Sequence, residues 1–209
     1  MVLPVRFGKS PLQTRGSATI DPHGIIPPPL PPTNSPTMHL VDSYRNFPPH
    51  DPDVPRPVRA SQVSFADLAE PQSQNVAGTF FGGALLAFID RAAAFCAMKH
   101  AGRPVVTKSM DSVEWNEPIF IGELVTVLAS VNFTGTTSME VGVKVLAQNP
   151  ITGEERQTNT CFVTFVAVDE NGRPARIPPL LPETEEEKRR FEDGRERRAV
   201  RLEGRKKEL

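Results

Sequence analysis

Between Phe80 and Met98 the chain reads FFGGALLAFIDRAAAFCAM, with 15 of 19 residues apolar and no polar face on a 3.6-residue wheel. A helix that is apolar all round has to be enclosed on every side, by lipid or by protein. Lipid is disfavoured, because Asp90 and Arg91 near a bilayer centre cost about 2.5–3.5 kcal/mol each and the sequence offers no second span. The segment is therefore expected to run through the middle of a core. It stops cleanly: His100 falls in the last turn, Gly102 is placed for a left-handed cap, and Pro104 follows where it cannot continue the helix.

Asp90 is the most informative residue of that helix. A buried carboxylate without a partner is costly. It is therefore either paired, with Arg91 or an arginine of another chain, or it lines a cleft as a general base or nucleophile. Ahead of the helix, Asn75-Val76-Ala77-Gly78-Thr79-Phe80-Phe81-Gly82-Gly83 supplies small residues. These would let a ligand approach the helix N-terminus, whose free N–H groups favour an oxyanion or a phosphate. Paired glycines also serve close backbone packing alone.

After Pro104 the composition turns to β-formers. Val105-Val106-Thr107 leads through Asp111 and Val113 to Trp115, and Pro118 ends the run. Val125, Val127, Ala129, Val131 and Phe133 alternate with more polar neighbours, and so do Met139, Val141, Val143, Val145 and Ala147, with Gly135 between the two runs. That is a hairpin of half-buried strands. Thr160 to Val168 is apolar on both faces, as a strand inside a sheet should be. With a strand near Val58 to Leu68, the order is strand, long helix, four strands. Consecutive hairpins make the sheet antiparallel, and a single apolar helix must be cradled by it. The expected class is α+β, in the arrangement known as the hot-dog fold. Such a sheet leaves edges and a surface uncovered, so dimerisation through the sheets is expected, with larger assemblies possible.

The two ends have a different character. Fourteen of the 22 prolines lie within residues 1–58, so residues 1–57 read as a proline-rich, disordered arm. Residues 58–182 form the domain. Residues 183–209 form a tail with 19 charged residues in 27. Thr184 and Glu187 have capping-box spacing there, and Glu185/Arg189, Glu186/Arg190 and Asp193/Arg197 are spaced for ion pairs along an exposed helix interrupted by Gly194 and Gly204. The net charge of −1 is spread without a basic field, so nucleic acid is not an expected partner. His23, His39 and His50 are too far apart in the arm to suggest a metal site. Cys96 and Cys161 lack CxxC spacing and read as free thiols of a reducing compartment, the cytoplasm. The acid-free first 20 residues, with Arg6, Lys9 and Arg15, admit a mitochondrial alternative.

At family level the sequence resembles the hot-dog acyl-CoA thioesterases, both the YciA-type bacterial enzymes and the tandem brain-type acyl-CoA hydrolases. The resemblance rests on Asn75-x-x-Gly78-x-x-Phe81-Gly82-Gly83 with Asp90 seven residues on, Val105-Val106-Thr107, and Gly135-Thr136-Thr137-Ser138-Met139-Glu140-Val141. Thr164-Phe165-Val166-Ala167-Val168-Asp169 and Asn171-Gly172 complete it. It spans about Val58 to Pro182. It implies that Asp90 is the catalytic carboxylate and that Asn75 meets it across a dimer interface, so that a homodimer, or a trimer of dimers, carries the sites. It also implies that Thr137 and Ser138 lie near the pantetheine or nucleotide end of CoA, with no cofactor beyond the CoA of the substrate.

Thioester hydrolysis needs a nucleophile at the carbonyl carbon and donors at the oxygen that becomes negative, and backbone N–H groups around Gly82 and Gly83 are suited to the second task. Asp90 would either deprotonate water or attack to give an anhydride. Two other readings compete: a non-catalytic acyl-CoA-binding or regulatory protein, and an enoyl-CoA hydratase. The hydratase needs an Asp and a His close together, and His100 lies ten residues along the helix from Asp90 and about 80° round it.

Overall fold

The alternation of apolar and polar residues after the helix is what builds the central sheet. In the computed structural model, which describes residues 49–111 and 113–207, the elements in chain order are β1 (Arg56–Pro57), β2 (Val63–Leu68), α1 (Gly82–Ala101), β3 (Val105–Met110), β4 (Glu114–Trp115), β5 (Leu124–Thr134), β6 (Ser138–Gln148), β7 (Glu155–Ala167), β8 (Leu180–Leu181) and α2 (Glu185–Lys207). The proline-rich arm up to residue 48 lies outside the described residues, and with it most of that reading. Regular structure begins ahead of Val58, because Arg56 and Pro57 pair in parallel with Leu180 and Leu181. Val58 itself opens a short 3-10 turn rather than a strand.

The sheet order is β2-β5-β6-β7-β3, with β4 beside β7, and every pairing in it is antiparallel. Val125, Val127, Ala129 and Val131 of β5 face Ala147, Val145, Val143 and Val141 of β6 in register, and all eight are buried. Because side chains on a strand alternate faces, this set makes one apolar surface, and α1 lies on it with Leu85, Ile89, Ala92, Ala93, Cys96 and Ala97 buried. β7 lies between β6 and β3, which is why its Cys161, Val163, Phe165 and Ala167 are buried. The helix ends as expected, with Gly102 at φ 66° and its N–H on Met98 O at 2.8 Å. No helix among the described residues is long and apolar enough to cross a membrane.

Within one chain α1 is not covered on every side. Gly83, Ala87, Arg91 and Phe95, four residues apart and so on one stripe, remain exposed, Phe95 at 47%. A single sheet has one inner face to offer, so the opposite face of the helix stays open. Val106 on the edge strand β3 is also exposed, at 49%, on the other side of the sheet, where it lines a groove with Arg198 and Arg201.

The charged tail departs further from its sequence reading. α2 is continuous from Glu185 to Lys207, so Gly194 and Gly204 do not interrupt it. The capping box forms, with Glu187 N–H on Thr184 Oγ1 at 3.2 Å and Thr184 N–H on Glu187 Oε2 at 3.1 Å. Of the expected surface pairs, Glu186–Arg190 forms at 3.3 Å, whereas Arg197 turns inward to Glu140. That carboxylate is 1% exposed on the outer side of β6 and accepts from Arg197 Nη2 at 2.7 Å and from Arg201 Nη2 at 2.9 Å, while Arg201 also binds Asp111. The Arg197 guanidinium lies 3.7 Å from the Phe162 ring centroid, and Phe191 packs on Phe133. Gly194 marks the closest approach, since a Cβ there would come within 2.9 Å of Phe133 Cβ.

Replacing Glu140 by alanine leaves the Arg197 guanidinium without a counter-charge and Arg201 with Asp111 alone. The expected loss is about 3 kcal/mol, the low end for breaking a buried pair because both arginines keep some access to solvent. Urea unfolding of Glu140→Ala against the parent checks it.

His100 gives a pH dependence. It is fully buried, its Nε2–H donates to Pro178 O at 3.0 Å, and burial pushes its pKa down from 6.5 to about 4. The folded state therefore refuses a proton that the unfolded chain accepts, so stability is complete above pH 6.5 and falls between pH 6.5 and about 4. The full effect is about 3 kcal/mol. Thermal unfolding between pH 7 and 4.5 should show this decline, and His100→Gln should flatten it.

Candidate active site

The helix start is shaped by aromatic rings. Gly82 and Gly83 are its first two residues, and Phe81 ahead of them adopts an extended conformation without a side-chain cap. A Cβ on Gly82 would lie 3.0 Å from the Trp115 ring, and one on Gly83 would run into the Phe81 ring. Close packing alone thus accounts for both glycines, and it brings Trp115 over the first turn. Gly82 also lines a cavity of about 360 Å3 that includes Asn75, Thr79, Leu85 and Trp115. The far wall of that cavity, Pro118 and Ile119, is held by a clamp. Arg156 donates to both oxygens of Glu123 at 2.7 and 2.8 Å and to Pro118 O at 2.6 Å. The bound guanidinium holds the Glu123 carboxyl below its usual range.

Asn75 organises its own turn. Its Oδ1 accepts from Ala77 N–H at 2.9 Å and Thr79 N–H at 3.1 Å, and its Nδ2 donates to Thr79 Oγ1 at 2.9 Å. The oxygen is therefore committed, while the amide keeps one N–H of its two. Asn75 can offer a donor and little else, which suits a carbonyl oxygen gaining negative charge or the oxygen of a water.

Asp90 is half-buried, two turns into α1. It accepts from Thr107 Oγ1 at 2.8 Å. Arg91 makes no ion pair with it among the described residues and lies instead toward the Phe88 ring, 5.7 Å from its centroid. The salt-bridge alternative within the chain is thereby removed. Thr107 belongs to edge strand β3, where the register slips between Thr107 and Ser109, and such bulges often re-aim side chains next to functional sites. The sequence reading passed over Thr107 as part of Val105-Val106-Thr107. Its signal was a hydroxyl between apolar and charged neighbours on the strand that follows the helix.

The remaining expected site residues fall into a different place. Thr137 and Ser138, at the turn between β5 and β6, line a groove of about 410 Å3 with Lys108, Arg198 and Arg201, on the side of the sheet that carries α2. The structure thus brings Asn75 and Gly82 into one cavity and Asp90 and Thr107 into one hydrogen bond, and no hydrogen bond joins the two groups within the described residues. Neither cysteine is available for nucleophilic chemistry. Burial raises Cys96 to about 12 and Cys161 to about 11, so both remain thiols.

Residues 77–154 match the thioesterase superfamily. The chain is 45% identical over 129 residues to the uncharacterized acyl-CoA thioester hydrolase YkhA of Bacillus subtilis, a match covering 62% of this chain and 75% of that one. Among solved structures it is similar to an acyl-CoA hydrolase of Staphylococcus aureus characterised with butyryl-CoA, CoA and CoA disulfide, with 37% identity, a TM-score of 0.67, and 73% of this chain and 93% of that chain covered. It is also similar to an apo-hexameric acyl-CoA thioesterase, with 44% identity, a TM-score of 0.68, and coverage of 74% and 97%. Solved variants of the S. aureus enzyme replace an aspartate, an asparagine and a threonine, each by alanine. The asparagine precedes that aspartate by 15 residues and the threonine follows it by 17, the same separations as those of Asn75, Asp90 and Thr107. With this fold, these spacings and these relatives, the chain belongs to the hot-dog acyl-CoA thioesterase family.

Proposed function

We propose that this chain hydrolyses the thioester of acyl-CoA to a free fatty acid and CoA, at sites completed when two copies associate. One observation carries the reading: a half-buried carboxylate on a largely apolar helix, held by a single neutral hydroxyl, with no cation paired with it among the described residues. The hydrogen bond from Thr107 occupies Asp90 Oδ1 and orients the carboxylate, leaving Oδ2 for chemistry. Asp90 either takes a proton from the attacking water or attacks the carbonyl carbon, displacing the CoA thiolate and forming an anhydride that water then cleaves. Single turnover in 18O-labelled water tests for the anhydride: label in the Asp90 carboxylate requires an anhydride cleaved at the Asp90 carbonyl, whereas the general-base route places label in the fatty acid alone.

Asn75 supplies its free N–H to the thioester oxygen or to the water, and Gly82 and Gly83 offer backbone donors at the helix start. Support for pairing Asn75 of one subunit with Asp90 of the other comes from the open stripe of α1, which needs cover, and from the exposed edge strand β3, which carries Thr107. Cover by a second copy through this stripe and edge gives an isologous dimer with two equivalent sites. Three such dimers would make the hexamer seen for the similar apo-hexameric enzyme. Thr137, Ser138 and the basic residues around them are assigned to the CoA end of the substrate.

The test is release of free CoA from acyl-CoA. Asp90→Asn should lower kcat by about 100-fold or more with the oligomer unchanged in sedimentation, and full activity in that variant would overturn the reading. Tight acyl-CoA binding without CoA release by the parent chain would make it a binding protein instead. Thr107→Val, which keeps the shape and removes the hydroxyl, should lower kcat by about tenfold with KM little changed.

A further inference from the structure

The direction in which Asn75 presents its free N–H is set by Thr79. Of the three hydrogen bonds of the Asn75 side chain, two are made with Thr79, one from its N–H and one to its Oγ1, and the Asn75 backbone N–H donates to Thr79 O at 2.8 Å. Thr79 and Phe80 in turn lie along the segment between β4 and β5. Thr79 bridges Phe120 in antiparallel fashion, and Phe80 N–H donates to Ile119 O at 2.8 Å. That segment is fastened to β7 by one side chain. Arg156 pairs with Glu117 at 3.1 Å, donates to Pro118 O at 2.6 Å, lies 5.5 Å from the Phe120 ring centroid and forks onto both oxygens of Glu123. The buried Glu123 passes the hold on, because its Oε2 also accepts from Phe120 N–H at 2.8 Å. Among the described residues no other strand side chain makes a hydrogen bond or ion pair to residues 117–121.

We propose that Arg156 is a positioning residue for the hydrolysis: through Glu123, Phe120 and Thr79 it fixes the Asn75 amide that donates to the thioester oxygen or to the attacking water. Arg156 does not line the cavity beside Asn75, so its effect reaches the reaction through that relay. The fork is what the task requires. A guanidinium holds a carboxylate with two parallel bonds and keeps donors for a carbonyl, whereas a lysine ammonium supplies the charge without the geometry. A misplacement of about 1 Å at a reacting group costs about 100-fold in rate, so a donor carried on a turn needs such a brace. The inference rests on the hydrolase reading and on Asn75 belonging to the reaction centre.

The experiment measures kcat and KM for CoA release from acyl-CoA by the full-length chain, with Arg156→Gln, Thr79→Val and the two combined. Arg156→Gln should lower kcat by about tenfold or more with KM little changed, as expected when the lost interaction is made in the transition state. Thr79→Val keeps the side chain's shape, removes the acceptor for Asn75 Nδ2, and should also lower kcat. Because both substitutions release the same amide, the combined variant should be no slower than the slower single one. Should Arg156→Gln not fold, Arg156→Lys leaves Glu123 a counter-charge, loses the fork, and should show the same fall in kcat. An unchanged kcat in the folded Arg156 variant would overturn the proposal. So would a rise in KM alone, which would leave Arg156 a support of the cavity wall, or losses that multiply in the combined variant, which would make the two residues independent. Absence of CoA release by the parent chain would instead mark failure of the hydrolase reading.

Discussion

Helix α1 carries more apolar surface than one sheet can cover, and the rest of the molecule follows from that mismatch. The inner face of β5, β6 and β7 takes Leu85, Ile89, Ala92, Ala93, Cys96 and Ala97, and the stripe through Ala87 and Phe95 is left facing outward. A second copy of the chain is the economical cover, because a two-fold contact matches the same stripe with itself. Asp90 sits beside this stripe, at the border between the covered and the open side of the helix. A carboxylate at such a border keeps solvent and substrate within reach, while its neighbours exclude bulk water.

The outer face of the sheet meets a different solution. Glu140 and Phe162 point away from α1, and α2 covers them with Arg197 and Arg201 rather than with an apolar stripe. A buried carboxylate between two guanidiniums costs desolvation, but once formed it fixes where the helix lies, because removing either partner leaves charge without compensation. The tail is therefore part of the domain's architecture. Arg201 also reaches Asp111 just past the end of β3, so the edge strand that bears Thr107 is tethered from the outer side while Asp90 holds it from the inner side.

Much of this was legible in the sequence. Period-2 alternation located β5 and β6, the glycine cap and Pro104 located the end of α1, and the family spacing singled out Asn75 and Asp90. The sequence reading erred where its inference was local. Gly194 was taken as a helix breaker because helix propensity counts a missing side chain against a helix, whereas here the missing side chain is what lets α2 touch Phe133. Arg197 was assigned to a neighbour four residues away because the pairing rule looks along a helix, and its partner lies across the sheet at Glu140. Thr107 escaped notice because alternation gives the face a strand residue takes, the same as that of Val105, and not the side chain of another element that it meets there, Asp90 of α1.

The central claim is that Asn75 and Asp90 work together from different subunits, and subunit mixing tests it most directly. Asn75→Ala and Asp90→Ala chains, each inactive alone, are unfolded together, refolded at equal concentration and assayed for CoA release. Half of the resulting dimers pair one chain of each kind and hold one intact site of two, so the mixture should regain about a quarter of the parent activity. A mixture as inactive as its components, with heterodimers demonstrated by mass spectrometry, would contradict the account and place both residues of each site in one chain.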